Sequence, residues 1–458
     1  MEEIKQPGSG RTLWAAIIAV TVVAALHFAS DSISADILTA ARWLALGVLA
    51  THGFMRRSLT TWIVVFMFIG GEIGHDFPAQ ADNLSILSKI FLSLIKCIIA
   101  PLILSMLVVG IAGHADLKQV GRMGIKALIY FEVVTTIALF IGLGAINFSK
   151  AGVGVHQANS PVETVAAPVK KTVGEIILHV FPENIAKSVS NGEVLQIAVF
   201  ATIFGIGLAL VKPEKRAPLI SLLESVAEAM FKFTNIVMLF APLGVMGAMA
   251  YTVGKMGLSV LIPLLKLLFT LYGALIIFVL FVFIPIALIA RIPLRRFIRA
   301  VAEPATIAFA TASSESALPR AMENMERFGI PRQVVAFVLP TGYSFNLDGS
   351  TLYLALASVF VAQAAGIDLS FTDQLLMVFT LMLTSKGVAG VPRATLVILL
   401  GTAASFNLPT WPIFLILGID QLMDMARTCI NVIGNCLATA VIAKWEGELN
   451  VPEEVQAA

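Results

Sequence analysis

Long apolar segments recur along most of the chain, and this feature restricts the possible folds more than any other. They lie near 13–29, 37–54, 60–77, 84–113, 121–147, 193–211, 218–250 and 257–290. A helix crosses the hydrocarbon core of a bilayer in about 20 residues, so these segments are candidate membrane spans. Charged residues make up only 13% of the chain, against about 25% in ordinary soluble proteins. The sequence therefore predicts an all-α polytopic membrane protein in contact with the lipid bilayer.

Other classes of function are excluded by what the chain lacks. The formal net charge of +2 argues against nucleic acid as a partner. The three cysteines lie in apolar stretches, so neither a disulfide framework nor a paired-cysteine metal site is expected. The second half contains no histidine, and the sequence has no nucleophile elbow and no phosphate-binding P-loop. We therefore predict no enzyme, no ATP-driven pump and no cofactor, while an ion channel remains an alternative.

The Lys and Arg residues between the apolar segments alternate from loop to loop. Basic clusters lie at 56–57, 118–126, 212–216 and 291–299, whereas 30–36, 78–88, 363–374 and 402–412 contain no Lys or Arg. Cytoplasmic loops carry the excess of basic residues, so both termini are predicted to be cytoplasmic. The polar loop 148–192, which contains four lysines, is the exception and is expected outside.

Two later apolar runs are interrupted in a way that predicts re-entrant helical hairpins. The run 300–326 is broken by TASSESALPR, and the run 373–401 is broken by TSKGVAGVPRAT. Each run has loops of the same charge character on both flanks, so it is expected to enter and leave by the same face. Each is followed by a span with polar residues, 331–362 and 411–443. Two such units in opposite orientation form an inverted repeat, which points to a binding site near the middle of the membrane.

The last span carries a polar stripe on one helix face. Its members, at spacings of three, four and seven residues, are Asp424, Arg427, Thr428, Asn431 and Asn435, with Asp420 at the edge. Ionisable groups within a span normally face a cavity or a partner. The planar guanidinium of Arg427 suits a substrate carboxylate, and Asp424 can hold an ammonium group. An internal ion pair between Asp424 and Arg427, without any ligand, is the alternative.

The span 331–362 is broken at PTGYSFNLDGS, which contains Gly342, Asn346 and Asp348. Carbonyl groups released by a helix break, together with one carboxylate, are the ligands that a hard monovalent cation prefers. The sequence therefore predicts a cation site there, although a helix kink with Asp348 in a salt bridge would explain the same residues.

The tips of the two hairpins carry further candidates. Ser314 and its neighbouring serines offer hydroxyl and N–H groups near a helix N-terminus, which attracts anions. Glu315, among them, is either a proton carrier or a solvated loop acid. In the second tip, Lys386 and Arg393 are cationic, and Lys386 is expected to extend towards water.

Four motifs in this order, SSESALPR, NLDGS, SKGVAGVP and DMARTCINVIGN, resemble the dicarboxylate/amino acid:cation symporter family, which includes the glutamate transporters, over about residues 60–445. The resemblance implies a glutamate-transporter-like fold that forms a homotrimer and works as an elevator, with the hairpin 373–401 as extracellular gate. The implied organisation is an N-terminal extension with two extra spans (1–58), scaffold spans (59–120), a transport-domain span (121–147), a polar loop and scaffold spans (148–250), a transport domain (251–445) with hairpins 296–326 and 373–401, and a cytoplasmic tail (446–458).

The resemblance also implies roles for individual residues. Arg427 matches the group that clamps the side-chain carboxylate of the substrate, and Asp424 matches the position that binds the α-amino group. The remaining substrate positions are Thr428, Asn431, Ser314 and Val391. The cation positions are Gly342, Asn346, Asp348, Asn435 and Thr135.

Several residues depart from the sodium-coupled members. Asn435 stands where they have Asp, Leu347 where they have Met, and Phe131 and Val134 where polar groups are expected. These changes resemble the bacterial proton-coupled glutamate/aspartate branch, which implies the inner (plasma) membrane and H⁺ as the coupling ion. Sodium coupling through a residual site at Asn346 and Asp348 is the alternative.

The nature of the substrate and of the proton carrier follows from the same comparison. The C4-dicarboxylate branch has no acid at the position of Asp424, so this residue favours glutamate or aspartate over succinate, fumarate or malate. Arg393, which also departs from the family pattern, could bind a second carboxylate and keeps the dicarboxylate alternative open. Leu354 replaces the proton-carrying Glu of the eukaryotic members, which leaves Glu315, Asp348 and Asp424 as candidates.

Overall fold

The computed structural model describes residues 35–56, 58–112, 119–155, 178, 181–191, 194–384 and 394–450, and the regular structure within them is helical throughout. In chain order the helices are α1 (Ala35–Arg56), α2 (Leu59–Asp76), α3 (Pro78–Ala112), α4 (Gln119–Ser149), α5 (Ile185–Asn191), α6 (Val194–Ala209), α7 (Pro213–Leu239), α8 (Ala241–Met256), α9 (Leu261–Phe278), α10 (Ile284–Ile289), α11 (Leu294–Thr311), α12 (Ser314–Arg327), α13 (Arg332–Phe345), α14 (Asp348–Ala364), α15 (Phe371–Thr384), α16 (Ala394–Ser405) and α17 (Trp411–Glu446).

The helices agree with a protein that crosses a membrane several times. Among the described residues, five stretches are long and apolar enough to span one: Asp36–Met55, Met123–Ser149, Leu258–Ile289, Arg332–Ala364 and Trp411–Glu446. The pair α7 and α8, bent by 48°, qualifies as a sixth. The prediction of an all-α polytopic membrane protein is confirmed. The predicted span 13–29 and most of the loop 148–192 lie outside the described residues.

The chain divides into two compact units. One contains the described residues up to Leu92 together with Leu239–Leu261. Within it, α2 packs closely on α8, because Gly70 and Gly74 let the two backbones approach: a Cβ on Gly70 would overlap the carbonyl oxygen of Met246. The other face of α2 packs against α1.

The second unit contains Ser93–Met238 and the described residues from Ile262 onwards. Its centre is made by α14 and α17, which pack on each other. The helix α14 is buried along almost its whole length, and α4 covers one of its sides. The hairpin α11–α12 and the helix α13 pack against α17. These contacts bring the polar residues of α13, α14 and α17 into the interior of one unit.

Two of the predicted helix breaks are present. The helices α11 and α12 are separated by Ala312, whose φ of 50° ends α11, and by Ser313. The helices α13 and α14 are separated by Asn346 and Leu347. The tip between α15 and α16 lies outside the described residues.

Candidate functional site

The polar stripe predicted on the last span lies on the buried side of α17. The helix is continuous from Trp411 to Glu446, so residues three, four and seven apart remain on one face over the whole length. The buried polar and charged residues of this face are Asp420, Asp424, Arg427, Thr428, Asn431 and Asn435. Because none of these residues is more than 7% exposed, their charges and hydrogen bonds must be compensated inside the protein.

The guanidinium of Arg427 lies between two carboxylates of its own helix. Its Nε donates to Asp424 Oδ1 at 2.9 Å, and its Nη1 donates to Asp420 Oδ1 at 3.0 Å. The side chains of Arg427 and Asp420 are completely buried. The ion pair between Asp424 and Arg427 that the sequence allowed is therefore formed, and a second acid, Asp420, takes part in it.

A tyrosine of α14 completes the surroundings of the guanidinium. Arg427 Cζ lies 4.2 Å from the centroid of the Tyr353 ring, the geometry of a cation–π contact. The Tyr353 hydroxyl donates to Asp420 Oδ1 at 3.4 Å. Arg427 Nη2 is buried and has no hydrogen-bond partner among the described residues. A buried guanidinium N–H without a partner is costly, so this atom is well placed to receive an incoming acceptor such as a substrate carboxylate.

Asn431, one helical turn after Arg427 on α17, binds the first turn of α14. Asn431 Oδ1 accepts from the backbone N–H groups of Gly349 and Ser350 at 2.8 and 3.2 Å, and its Nδ2 donates to Ser350 Oγ at 2.9 Å. A Cβ on Gly349 would overlap the carbonyl oxygen of Arg427. Only glycine therefore allows this approach, which fixes the helix break beside the arginine. Thr428 Oγ1 donates to Asp424 Oδ1 at 3.2 Å and orients that carboxylate.

The predicted cation-site residues also come together. Asn346 Nδ2 donates to Asp348 Oδ2 at 3.1 Å and to Asn435 Oδ1 at 3.3 Å. The Gly342 carbonyl accepts from the Asn346 N–H at 2.7 Å. Within the described part of the chain, Asn346 Oδ1 and Asn435 Nδ2 are buried without partners. The cluster thus combines one carboxylate with two amides.

The helix α4 borders this cluster with an apolar side chain. A Cβ placed on Gly342 would lie 3.5 Å from Phe131 Cζ, so the phenylalanine ring lies beside the glycine. Thr135 is buried one turn further along α4, and its hydroxyl donates to the Phe131 carbonyl at 2.6 Å. The side of the cluster that faces Phe131 is therefore apolar.

The hairpin residues are described only in part. Ser314 begins α12, and the side chain of Ser313 caps that helix by accepting from the Ser316 N–H at 3.3 Å. Glu315 is exposed on the first turn of α12. Val391 and Arg393, like Lys386, lie outside the described residues.

Two residues of the site were not among those predicted to bind substrate or cation. Asp420 lies seven residues before Arg427, on the same helix face, and this spacing could have identified it as a partner of Arg427. Tyr353 is on a different helix. No periodicity in the sequence places it beside Arg427, because that contact depends on how α14 packs against α17.

Comparisons with known proteins identify the family of the chain. A family model described as the sodium:dicarboxylate symporter family matches residues 59–445. The chain is 42% identical to a proton/sodium-glutamate symport protein of Bacillus caldotenax over 407 residues, which cover 86% of this chain and 96% of that protein.

Other relatives have different substrates in their names. A proton/glutamate-aspartate symporter of Escherichia coli K12 is 44% identical, over 84% of this chain and 92% of that protein. A C4-dicarboxylate transport protein of Cupriavidus pinatubonensis is 43% identical, over 85% of this chain and 91% of that protein. The relatives are transporters rather than enzymes. The chain therefore belongs to the sodium:dicarboxylate symporter family.

Proposed function

We propose that the protein is a symporter that imports glutamate and aspartate together with protons. The observation that carries this proposal is the buried guanidinium of Arg427, whose Nη2 has no hydrogen-bond partner among the described residues, with the Asp424 carboxylate 2.9 Å from its Nε. An acidic amino acid has one ammonium and two carboxylate groups, so a site for it needs both an acid and a base within a few ångström. These two side chains meet that requirement.

The charges of the site favour an amino acid over a dicarboxylate. With Asp420, Asp424 and Arg427 ionised, the three side chains carry one excess negative charge. Glutamate adds a net charge of −1, whereas succinate adds two negative charges and no ammonium. One additional unit charge about 4 Å from a carboxylate costs about 4 kcal/mol at an effective dielectric constant of 20. An ammonium beside Asp424 turns this repulsion into attraction.

Binding requires the Arg427 contacts to be rearranged. Nη2, which has no partner among the described residues, donates to the first oxygen of the substrate side chain, and the incoming carboxylate then competes with Asp424 for Nε. The ammonium group takes up the Asp424 oxygens that the guanidinium releases. In this way both ionic groups of the site stay paired before and after binding, which avoids the large cost of a buried unpaired charge.

The same charge balance supports coupling to a cation. An anionic substrate that enters a site with an excess negative charge needs positive charge to accompany it through the membrane. The amide of Asn435 and the ring of Phe131 lie beside Asn346 and Gly342, at positions where the resemblance to sodium-coupled transporters implies sodium-binding groups. The coupling ion is therefore a proton. Asp348, which is buried, is better suited as the carrier than the exposed Glu315, since Asp424 stays ionised to bind the ammonium group.

The resemblance to the glutamate transporters supports the remaining parts of the proposal. The protein lies in the inner membrane with both termini in the cytoplasm and acts as a homotrimer. The residues 251–445, with 121–147, carry the substrate as an elevator past a scaffold formed by 59–120 and 148–250. The hairpin 373–401 opens and closes the extracellular side.

A C4-dicarboxylate symporter is the second candidate. It is supported by the 43% identity to a protein named as a C4-dicarboxylate transporter. A second cation at Arg393 would favour a second carboxylate. Uptake of aspartate and succinate by the same variants distinguishes the two functions.

The test is the substitution Asp424→Ser, assayed by uptake into proteoliposomes. Loss of a hydrogen bond to a charged group costs about 1.5–3 kcal/mol, which is roughly a tenfold to hundredfold rise in KM for aspartate. Competition by succinate should be unchanged or stronger, since a negative charge has been removed. Asp368→Ser is the matched control, because Asp368 is exposed. Equal losses for aspartate and succinate would contradict the assigned role of Asp424.

A further inference from the structure

The helix α1 precedes the part of the chain that matches the family, which begins at residue 59. It is nevertheless packed along α2, the first helix of the matched part. Its apolar side chains Ala45, Leu46 and Leu49 form a buried cluster with Val65 of α2. At one end of this contact, Phe54 meets Trp62 edge to face, with ring centroids 4.8 Å apart.

The other end of the contact between α1 and α2 is a buried ionic network. Arg42 Nε donates to Glu72 Oε2 at 2.9 Å, and Arg42 Nη2 donates to Asp76 Oδ1 at 2.6 Å. The neighbouring Trp43 Nε1 donates to Asp76 Oδ2 at 2.8 Å. Arg42 Nη2 also lies 3.3 Å from Thr39 Oγ1. Arg42 and Trp43 of α1 thus bind both acids at the end of α2, Glu72 and Asp76.

Burial makes this network different from an ordinary surface ion pair. Arg42 is 6% exposed and Glu72 is 3% exposed. The opposite face of α2 is already used, because Gly70 and Gly74 bring it against the backbone of α8. Ionisable residues within a membrane protein normally have a partner, and Arg42 is one for the buried Glu72.

The outward side of α1 is suited to lipid. Leu44 is 72% exposed and Ile37, seven residues earlier on the same helix face, is 62% exposed. The helix therefore has two faces of different character: a charged and packed face towards α2, and an apolar face on the outside.

We propose that α1 is a permanent helix of the unit that contains α2 and α8, held by the binding of Arg42 and Trp43 to the acidic pair Glu72 and Asp76. The helix α1 supplies a cation to the acidic end of α2, and the two helices form one element that keeps its packing during the transport cycle. This inference does not depend on which substrate or ion is transported.

The test asks whether α1 stays bound after the chain is cut. A protease site is inserted before Ser58 in the full-length protein, the N-terminus is tagged, and the purified protein is cleaved in mild detergent. The retained amount of the N-terminal fragment is measured relative to the remainder of the chain. The fragment should remain bound in the otherwise unchanged protein. With Arg42→Met, retention should fall about tenfold or more, because removing one partner of a buried ion pair is strongly destabilising.

Further variants separate docking from a general loss of stability. The pair Glu72→Gln and Asp76→Asn should also release the fragment, whereas combining it with Arg42→Met should restore retention above either alone, since no unpaired charge is left. Lys255→Met is the matched control: it breaks the half-exposed ion pair with Asp82 in the same unit and should leave retention unchanged. Loss of the fragment from the protein that carries only the protease site, or equal retention with and without Arg42→Met, would overturn the proposal.

Discussion

Replacing Asn435 by Asp tests the proposal that the protein does not use sodium because position 435 carries an amide and not a carboxylate. The new carboxylate would stand where Asn435 Oδ1 now accepts from Asn346 Nδ2 at 3.3 Å, while Asp348 Oδ2 accepts from the same nitrogen at 3.1 Å. Two oxygens that share one donor at these distances are at most about 6 Å apart. At an effective dielectric constant of 20, two negative charges at this separation repel by about 3 kcal/mol.

A bound cation would remove this repulsion, so the variant Asn435→Asp should gain a dependence on sodium that the unchanged protein lacks. The assay is thermal unfolding of purified protein in sodium chloride and in choline chloride at equal ionic strength. Sodium should raise the unfolding temperature of the variant and leave that of the unchanged protein as it is.

The matched control is Asn407→Asp, the same chemical change at an exposed position. Its unfolding temperature should be the same in both salts. The reasoning is refuted when Asn435→Asp shows no sodium effect, or when the unchanged protein is stabilised by sodium to the same extent.

Three further substitutions test the site. Arg427→Cys should abolish uptake of aspartate and glutamate, since the carboxylate loses its partner and two buried acids lose their cation; aspartate uptake at the original rate would refute the role of Arg427. Gly349→Ala should reduce uptake and should lower the free energy of unfolding by about 1–3 kcal/mol, because the added Cβ overlaps the Arg427 carbonyl oxygen. Normal uptake with a normal unfolding temperature would contradict the close approach of Gly349 to Arg427. Glu315→Gln should leave uptake driven by a pH gradient in place, because Glu315 is exposed, and loss of that drive alone would make Glu315 the proton carrier.

The sequence predicted those features that depend on one helix at a time. The polar face of α17 follows from spacings of three, four and seven residues in a helix without a break. The break before α14 follows from residues that interrupt helices, Gly342, Asn346 and Asp348. In both cases the local sequence and the final structure obey the same periodicity and the same backbone preferences.

Features that depend on packing between helices could not be predicted in the same way. The Tyr353 ring contacts the Arg427 guanidinium because α14 packs against α17. Arg42 donates to Glu72, which lies 30 positions further along the sequence. The amide of Asn431, expected in the substrate pocket, bonds the first turn of α14. Each of these contacts joins groups that tertiary structure brings together, and apolar periodicity alone does not specify the partner.

Uptake of labelled aspartate, glutamate and succinate into proteoliposomes, with the pH gradient and the sodium gradient varied independently, tests the central claim most directly. Accumulation of aspartate and glutamate against their gradients, driven by inward protons and unaffected by sodium, with succinate transported poorly, is the predicted result. Accumulation of succinate in preference to both amino acids, or accumulation that occurs only with a sodium gradient, would contradict it.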